Sequence, residues 1–219
     1  MTSRDVLMLI AGALFVTLGV MVTAYFKNHV TAVPVDSASI TVPWVPEPVK
    51  RWQNTIVEMG NKYNVSPDLI AIIITLESGG DPKAHSEADA QGLMQVTPLT
   101  AADIASKHLK KPVKQYDLYD PKTNIEFGIA YLAWLRGQFG TAHQGPSWNE
   151  TVELMAAGYN GGPGAANALE KGEGLNDTQT VIYSRDAFNM WRERHSSTSP
   201  TYNRWLERGG QTLVDAATQ

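Results

Sequence analysis

The sequence predicts an all-α domain that follows a single N-terminal transmembrane helix. Three observations favour this fold class. Apolar residues recur at helical spacing in several segments between residues 49 and 191. The same region contains neither a strand–turn–strand pattern nor an internal repeat. Upstream of it, residues 6–26 form a run of 21 residues without a charge. We therefore divide the chain into a short tail with an anchor (1–27), a linker (28–48), an all-α domain (49–191) and a C-terminal appendage (192–219).

The uncharged run at residues 6–26 is long enough to cross a bilayer as a helix, which needs about 20 apolar residues for a hydrocarbon core of about 30 Å. The competing interpretation is a cleaved secretory signal, since Val22-Thr23-Ala24 resembles a cleavage site. Secretory apolar cores usually have about 7–15 residues, so we favour the uncleaved anchor. Both interpretations place the remaining residues outside the cytoplasm.

Composition excludes several classes of protein. Of the 219 residues, 43% are hydrophobic and 18% are charged, which is typical of a globular chain. The net charge of −4 offers no basic surface, so we expect no nucleic-acid partner. The absence of cysteine excludes disulfides and thiolate catalysis. The five histidines are scattered, and no two share helical metal spacing, so we expect neither a metal site nor a cofactor.

The segments on either side of the domain differ from it in composition. Residues 28–48 contain four prolines, which favour an extended, semi-rigid spacer. A short strand within residues 39–42 is the alternative. Residues 192–219 are polar and begin with a Ser/Thr-rich stretch, and their composition does not indicate a role. We therefore expect the folded body to begin near residue 49 and to end near residue 191.

The first two helices of the domain have distinct signals. The first is amphipathic, with apolar side chains at helical spacing at Trp52, Ile56, Met59 and Tyr63. At the start of the second, Ser66 suits the cap, Pro67 the first turn and Asp68 the positive end of the helix dipole. Residues 69–76 are apolar all round, which predicts a buried helix. Taken alone, residues 72–76 also fit a core strand, but the capping signal favours the helix.

The remaining helices follow a polar, turn-rich loop at residues 81–90. One begins at Pro98 and runs to Lys107, and another opens at Asp120-Pro121 with apolar residues on one face. Residues 149–159 and 180–191 complete the set. The domain is therefore predicted to be helical throughout.

Glu77 is the candidate catalytic residue, because it ends an otherwise wholly apolar helix just before Gly79-Gly80. Burial beside the apolar side chains of that helix disfavours the ionised carboxylate and raises its pKa. The negative end of the helix dipole acts in the same direction. A carboxylic acid that stays protonated near neutral pH is suited to general-acid catalysis. The alternative from this context alone is an ordinary solvated glutamate at a helix end.

An ordered series of motifs accompanies Glu77-Ser78. In chain order they are Ser86, Gln91-Gly92-Leu93-Met94-Gln95-Val96, Asp120-Pro121, Asn124-Ile125, Ala157-Gly158-Tyr159-Asn160-Gly161-Gly162-Pro163-Gly164, and Gln179-Thr180 with Tyr183. The series closely resembles the catalytic domain of soluble lytic transglycosylases, which is related to goose-type lysozyme, over most of residues 50–191. The resemblance implies a lysozyme-like fold. It also implies cleavage of the β-1,4 bond between N-acetylmuramic acid and N-acetylglucosamine in peptidoglycan, with formation of 1,6-anhydro-muramyl ends.

The resemblance implies a role for each matching residue around the acid. Glu77 corresponds to the family's single catalytic acid/base. Ser86 and Gln95 correspond to polar residues that line the glycan groove. Met94 is expected to pack the floor of that groove, with an ordinary core position as the alternative.

The later motifs supply a second set of implied substrate-binding residues. Tyr159 and Asn160 correspond to the pair that borders the cleavage site, with the Tyr159 hydroxyl orienting Glu77 or the transition state. Tyr183 corresponds to a tyrosine that is either groove-lining or structural. Many relatives have glutamate at the position of Gln179, so this chain lacks a charge there.

Two other functions remain open at this stage. A hydrolytic muramidase on the same scaffold would need a second carboxylate to activate water, and Glu87 and Asp89 lie in the nearby loop. A glycan-binding or assembly protein would need no acid at Glu77. The expected partners are peptidoglycan glycan strands and, through residues 6–26, a membrane. We expect a periplasmic or envelope location, or a virion membrane if the chain belongs to a phage virion rather than to a secretion or conjugation complex.

Overall fold

The computed structural model describes residues 39–139 and 148–219, apart from the side chains of residues 148–150. Nine helices lie in these ranges: α1 Glu47–Lys50, α2 Gln53–Tyr63, α3 Pro67–Ser78, α4 Pro98–Lys107, α5 Pro121–Phe139, α6 Trp148–Glu170, α7 Thr178–Glu193, α8 Pro200–Trp205 and α9 Gln211–Ala216. A wide π-helical turn, Leu206–Gly210, joins α8 to α9. The described residues contain no β-strand, only isolated bridges in the loop before α4. The prediction of an all-α domain is confirmed.

Helix α3 is central to the fold, and the strand alternative for residues 72–76 is wrong. Residues 70–74 of this helix are fully buried. Pro67 occupies its first turn as predicted, but the Ser66 side chain makes no capping hydrogen bond. Asp68 instead accepts hydrogen bonds from the Thr41 backbone N–H at 2.7 Å and from the Thr41 hydroxyl at 2.6 Å. The start of α3 is thereby joined to the segment that precedes α1.

Helix α6 is longer than predicted and is bent in the middle. Gly162 has φ 79° and ψ 170°, which only glycine adopts easily, and Pro163 follows it. Since proline suits the first turn of a helix, a second helical segment begins where the sequence suggested an end. Asp177 then caps α7 by accepting from the backbone N–H groups of Gln179 and Thr180. Helix α7 packs against both α6 and α3.

The residues at both ends of the described chain pack on the helical body. Val42 and Val45 are each 2% exposed, so residues 39–48 are not a free extended spacer. The Trp44 indole N–H donates to the Glu193 carbonyl at 3.3 Å, and the Trp44 ring lies 5.4 Å from that of Tyr202. The body therefore extends beyond the predicted limits of residues 49 and 191, because buried apolar side chains lie on both sides of them.

The predicted transmembrane helix at residues 6–26 lies outside the described residues. None of the helices within residues 39–139 and 148–219 combines the length and the apolar composition that crossing a bilayer requires.

Candidate active site

Glu77 lies in the last turn of α3, where the buried helix reaches the protein surface. The residues on either side, Leu76 and Ser78, are buried, whereas Glu77 is partly exposed. The helix ends at Gly79, whose φ of 63° is left-handed, and Gly80 follows with a φ of 101°. Glu77 is thus attached to the rigid core, while part of the residue reaches the surface.

Glycine is required at these two positions by close packing as well as by backbone conformation. A Cβ atom on Gly79 would lie 2.7–2.9 Å from backbone atoms of Leu213 and Val214 in α9. A Cβ atom on Gly80 would lie 2.6–2.8 Å from backbone atoms at the start of Val49 and the end of Pro48. Backbone atoms cannot move aside as a flexible side chain can. The turn after Glu77 is therefore enclosed by both ends of the described chain.

Tyr183 of α7 is the hydrogen-bonding partner of the candidate acid. Its hydroxyl donates to Glu77 Oε1 at 2.6 Å. Burial raises the pKa of Glu77 to about 7, and the Tyr183 hydrogen bond opposes that rise because it favours the ionised form. Glu77 therefore exchanges its proton near neutral pH, as the sequence predicted from burial. Tyr183 therefore contacts the candidate acid directly, and its predicted contact with substrate stays a prediction.

Tyr159 does not donate to Glu77, which was one of the two roles that the resemblance implied, and a contact with the transition state stays a prediction. Its hydroxyl donates to the Met94 carbonyl at 2.8 Å, so it joins α6 to the loop that precedes α4. Burial and the nearby charge of Glu77 raise the pKa of Tyr159 well above 10, which keeps the phenol protonated beside the carboxyl group. The orienting hydrogen bond expected from Tyr159 is supplied instead by Tyr183, because α7 rather than α6 presents a hydroxyl to Glu77.

The loop of residues 81–97 lies beside α3 and contains three of the predicted binding residues. Ser86 accepts a hydrogen bond from the Ala90 backbone at 3.1 Å, which closes a turn within the loop. Gln95 has a left-handed φ of 48°, and its amide donates to the Ala84 carbonyl at 3.1 Å and to a second loop carbonyl at 3.0 Å. Met94 is fully buried, which favours the core alternative. Each side chain stabilises the loop, and substrate contact by any of them remains a prediction.

Asn124 and Ser78 hold this loop in place, although the sequence indicated no role for either. The fully buried Asn124 accepts from the Met94 backbone N–H at 2.7 Å and donates to the carbonyls of Gln91 at 2.7 Å and Leu118 at 2.8 Å. Ser78 donates to the Leu93 carbonyl at 2.8 Å. The sequence did contain one indication, a polar residue among the apolar positions of a helix, because a buried polar side chain needs hydrogen-bonding partners.

A cleft of about 540 Å³ opens between the second half of α6 and the start of α7. Asn160 and Thr180 line it, and the Thr180 hydroxyl donates to the Asn160 side-chain oxygen at 3.0 Å. Gln179 is exposed and also lines the cleft. Asn160 directly follows Tyr159, and Thr180 lies one helical turn before Tyr183. The cleft therefore adjoins the residues around Glu77, and its walls are polar and rich in glycine and alanine.

The structure thus brings Glu77, Tyr183 and Tyr159 together with the loop that precedes α4. The model of the transglycosylase SLT domain family matches residues 54–182. The chain belongs to this family. The matched range includes Glu77 and Tyr159 and stops one residue before Tyr183.

Two relatives of this transglycosylase SLT domain protein are named membrane-bound enzymes. Membrane-bound lytic murein transglycosylase E of Buchnera aphidicola is 43% identical over 94 residues, which cover 42% of each chain. Endo-type membrane-bound lytic murein transglycosylase A of Cronobacter sakazakii is 35% identical over 130 residues, 56% of this chain and 63% of the relative. The matched stretch thus covers about half the length of these relatives. Among solved structures, an inactive mutant of lytic transglycosylase Slt from Pseudomonas aeruginosa is 25% identical over 73% of this chain and 24% of that chain, with a TM-score of 0.47.

Proposed function

We propose that this protein cleaves peptidoglycan glycan strands as a lytic transglycosylase, with Glu77 as the acid and base. The observation that carries the proposal is Glu77, a partly exposed residue whose carboxyl group has a pKa raised to about 7 by burial and accepts a hydrogen bond from Tyr183 through Oε1. A group with this pKa is protonated in a large share of molecules at neutral pH and can also act as a base after it has donated. Membership of the transglycosylase SLT domain family supports the same chemistry.

The proposed reaction uses one carboxyl group twice. Protonated Glu77 donates to the oxygen that links N-acetylmuramic acid to N-acetylglucosamine, and the bond from C1 to that oxygen breaks. Positive charge develops at C1, where the N-acetyl oxygen of the same sugar stabilises it. Ionised Glu77 then accepts the proton of the C6 hydroxyl as its oxygen bonds to C1. The product is a 1,6-anhydro ring, Glu77 is protonated again, and no water is consumed.

Tyr183 and Tyr159 have different roles in the proposed reaction. The Tyr183 hydrogen bond holds the carboxyl group and stabilises the ionised form that exists between the two proton transfers. Tyr159 stays neutral and keeps the Met94 carbonyl in place, so the loop beside the acid is fixed. Neither tyrosine needs to exchange a proton.

Hydrolysis is the second candidate, and the surroundings of Glu77 favour transglycosylation over it. Within the described residues, the pKa of Glu77 is raised by burial and not by a neighbouring carboxylate. Glu87 and Asp89 are exposed, and Asp89 accepts from the Gln91 side chain at 2.8 Å. A two-carboxylate glycosidase instead places both groups across the scissile bond. Support for a water-activating base in this loop is therefore weak.

The proposal is tested by digesting purified peptidoglycan with wild type, Glu77→Gln and the double variant Glu87→Gln/Asp89→Asn. We expect Glu77→Gln to lower the rate of muropeptide release at least about 100-fold, since a general acid contributes about that much. The double variant is the matched control, because it neutralises two carboxylates in the adjacent loop, and it should retain activity. Activity in Glu77→Gln, or its loss in the double variant alone, would contradict the proposed role of Glu77.

The membrane anchor and the biological setting belong to the same proposal. The relatives named above are membrane-bound, which supports an envelope location with residues 6–26 as the anchor. A role in a phage virion or in a secretion or conjugation apparatus stays a prediction, based on the small size of the body. Absence of the protein from purified virions and from any such complex would exclude that setting.

A further inference from the structure

Four aromatic side chains form a continuous row that begins beside the candidate acid. The ring centroids of Tyr159 and Tyr131 lie 5.5 Å apart, those of Tyr131 and Trp134 5.6 Å, and those of Trp134 and His108 5.5 Å. We call this set, Tyr159, Tyr131, Trp134 and His108, the aromatic row. It runs from α6 across α5 to the residue that follows α4.

The first member of the aromatic row ties it to the reaction centre. Tyr159 lies close enough to Glu77 for the carboxylate charge to raise its pKa. Tyr131 is fixed beside it, since its hydroxyl donates to the Gly158 carbonyl at 3.2 Å. The row therefore starts at Glu77 and leads away from it along α5. The cleft between α6 and α7 adjoins Tyr159 through Asn160, so the two features meet at this pair.

Exposure distinguishes the aromatic row from an ordinary core cluster. All four side chains are partly exposed, with the tyrosines and the tryptophan packed on the core. The pair Tyr116–Phe127, by comparison, has its rings 4.8 Å apart with Phe127 1% exposed, as expected for core packing. Four adjacent aromatic side chains that all reach the surface indicate a surface for a ligand rather than packing alone.

We propose that the aromatic row binds successive sugar rings of a glycan strand that extends away from Glu77 along α5. The proposal rests on the proposed function, since it deepens the same site. One face of a β-linked pyranose ring presents C–H groups, which carry partial positive charge and pack against the negative face of an aromatic ring. The sugar edges present hydroxyl and N-acetyl groups to polar neighbours. Asp103 is exposed and near enough to Tyr131 to raise its pKa, so it can accept from such a group.

The test measures binding of an N-acetylglucosamine hexasaccharide to the full chain carrying Glu77→Gln, which prevents turnover. Adding Trp134→Ala should raise the Kd about 10-fold, as expected for loss of one stacking ring. Trp134→Phe keeps an aromatic face and should stay within about 3-fold of the parent. Phe188→Ala is the matched control, since Phe188 is a partly exposed aromatic side chain about 140° around α7 from Tyr183. It should leave the Kd unchanged.

A second measurement keeps the test decisive if Trp134→Ala does not fold. The indole N–H resonance of Trp134, assigned by its absence in Trp134→Phe, should shift when the hexasaccharide is added, and His108→Ala should weaken binding. An unmoved Trp134 resonance, or equal affinity in His108→Ala and the parent, would overturn the inference. If wild type leaves peptidoglycan intact while binding still depends on Trp134, the proposed cleavage fails and the aromatic row stands. If wild type cleaves and the Trp134 variants bind as the parent does, only the aromatic row fails.

Discussion

The hydroxyl of Tyr183 donates a 2.6 Å hydrogen bond to the carboxyl group of Glu77, which links two residues separated by 106 positions in the chain. The contact fixes α7 against the end of α3 at the point where the candidate acid reaches the surface. Burial raises the pKa of Glu77 to about 7, and this hydrogen bond limits the rise. Burial and the Tyr183 hydrogen bond therefore together determine the pH at which Glu77 exchanges its proton.

Tyr183→Phe should shift the pH dependence of activity as well as lower the rate. Without the donor, the ionised form of Glu77 is less stable and its pKa rises above about 7. The alkaline limb of the rate profile, where the free enzyme loses its catalytic proton, should therefore move to higher pH. We expect an accompanying fall of about 10-fold in the maximal rate, since a hydrogen bond to a charged group contributes about 1.5–3 kcal/mol. Initial rates of muropeptide release across pH measure both effects.

Tyr159→Phe is the control for that prediction, because its hydroxyl donates to the Met94 carbonyl and not to Glu77. It should lower the free energy of unfolding by about 1 kcal/mol. The position of the alkaline limb should not change. An equal displacement of the limb in both variants would show that the shift comes from loosened packing rather than from the Tyr183 hydrogen bond.

Glu77→Gln should stabilise the fold, and the gain should depend on pH. The carboxyl group releases its proton at about pH 4.5 in the unfolded chain and at about pH 7 in the folded one, so the folded state holds the proton more tightly. Wild-type stability should therefore fall as pH rises from about 4.5 to 7 and then level off. Relative to wild type, the neutral amide should raise the free energy of unfolding by as much as about 3 kcal/mol above pH 7 and should change it little below pH 4.5. Urea unfolding of both chains at several pH values measures the difference, and a gain that is independent of pH would contradict the raised pKa.

Gly79→Ala should damage both stability and activity. Alanine at this position would have to adopt the left-handed φ of 63°, which is strained for a residue with a side chain. Its Cβ would also lie 2.7–2.9 Å from backbone atoms of Leu213 and Val214. We expect the free energy of unfolding to fall by about 1–3 kcal/mol and the Glu77 carboxyl group to be displaced. Gly137→Ala is a matched control, because among the described residues outside its own helical turn none approaches its Cβ position within 4 Å, and alanine within a helix should be neutral or slightly stabilising. Equal effects of the two substitutions on unfolding would refute the close packing behind Glu77.

Removal of residues 211–219 should lower activity, although all of them lie outside the matched family range. Helix α9 lies directly behind Gly79, and Arg51 donates to the Ala217 carbonyl at 2.8 Å. Its loss should lower the melting temperature and the rate of glycan cleavage together. Removal of Thr218 and Gln219 alone is the control, since both are exposed, and it should have little effect. Full activity in the longer truncation would mean that α9 does not position the acid.

The features that the sequence predicted are those determined by local patterns. Helix α3 follows from Pro67 and an unbroken apolar run, and its end at Gly79-Gly80 follows from backbone conformation. The raised pKa of Glu77 follows from its place at the end of that run. Burial and helix ends depend on neighbours in the sequence, so one chain is enough to predict them.

The features that the sequence did not predict depend on contacts between distant segments. The sequence did not predict that Tyr183 rather than Tyr159 donates to Glu77, because the relative rotation of α6 and α7 decides which tyrosine reaches the carboxyl group. Residues 211–219 have no apolar periodicity, yet their backbone packs against Gly79. Asn124 likewise acts through three hydrogen bonds to a loop some 30 positions earlier and to Leu118. Local patterns do not indicate which distant partner each of these groups contacts.

Digestion of peptidoglycan in water labelled with heavy oxygen most directly tests whether Glu77 acts as both acid and base without water. We expect the new muramyl ends released by the wild-type protein to be 1,6-anhydro rings that carry no heavy oxygen, because the C6 hydroxyl of the same sugar attacks C1. Glu77→Gln should release almost none. Reducing ends labelled with heavy oxygen would contradict the transglycosylase mechanism and would identify the protein as a hydrolase that requires a second group to activate water.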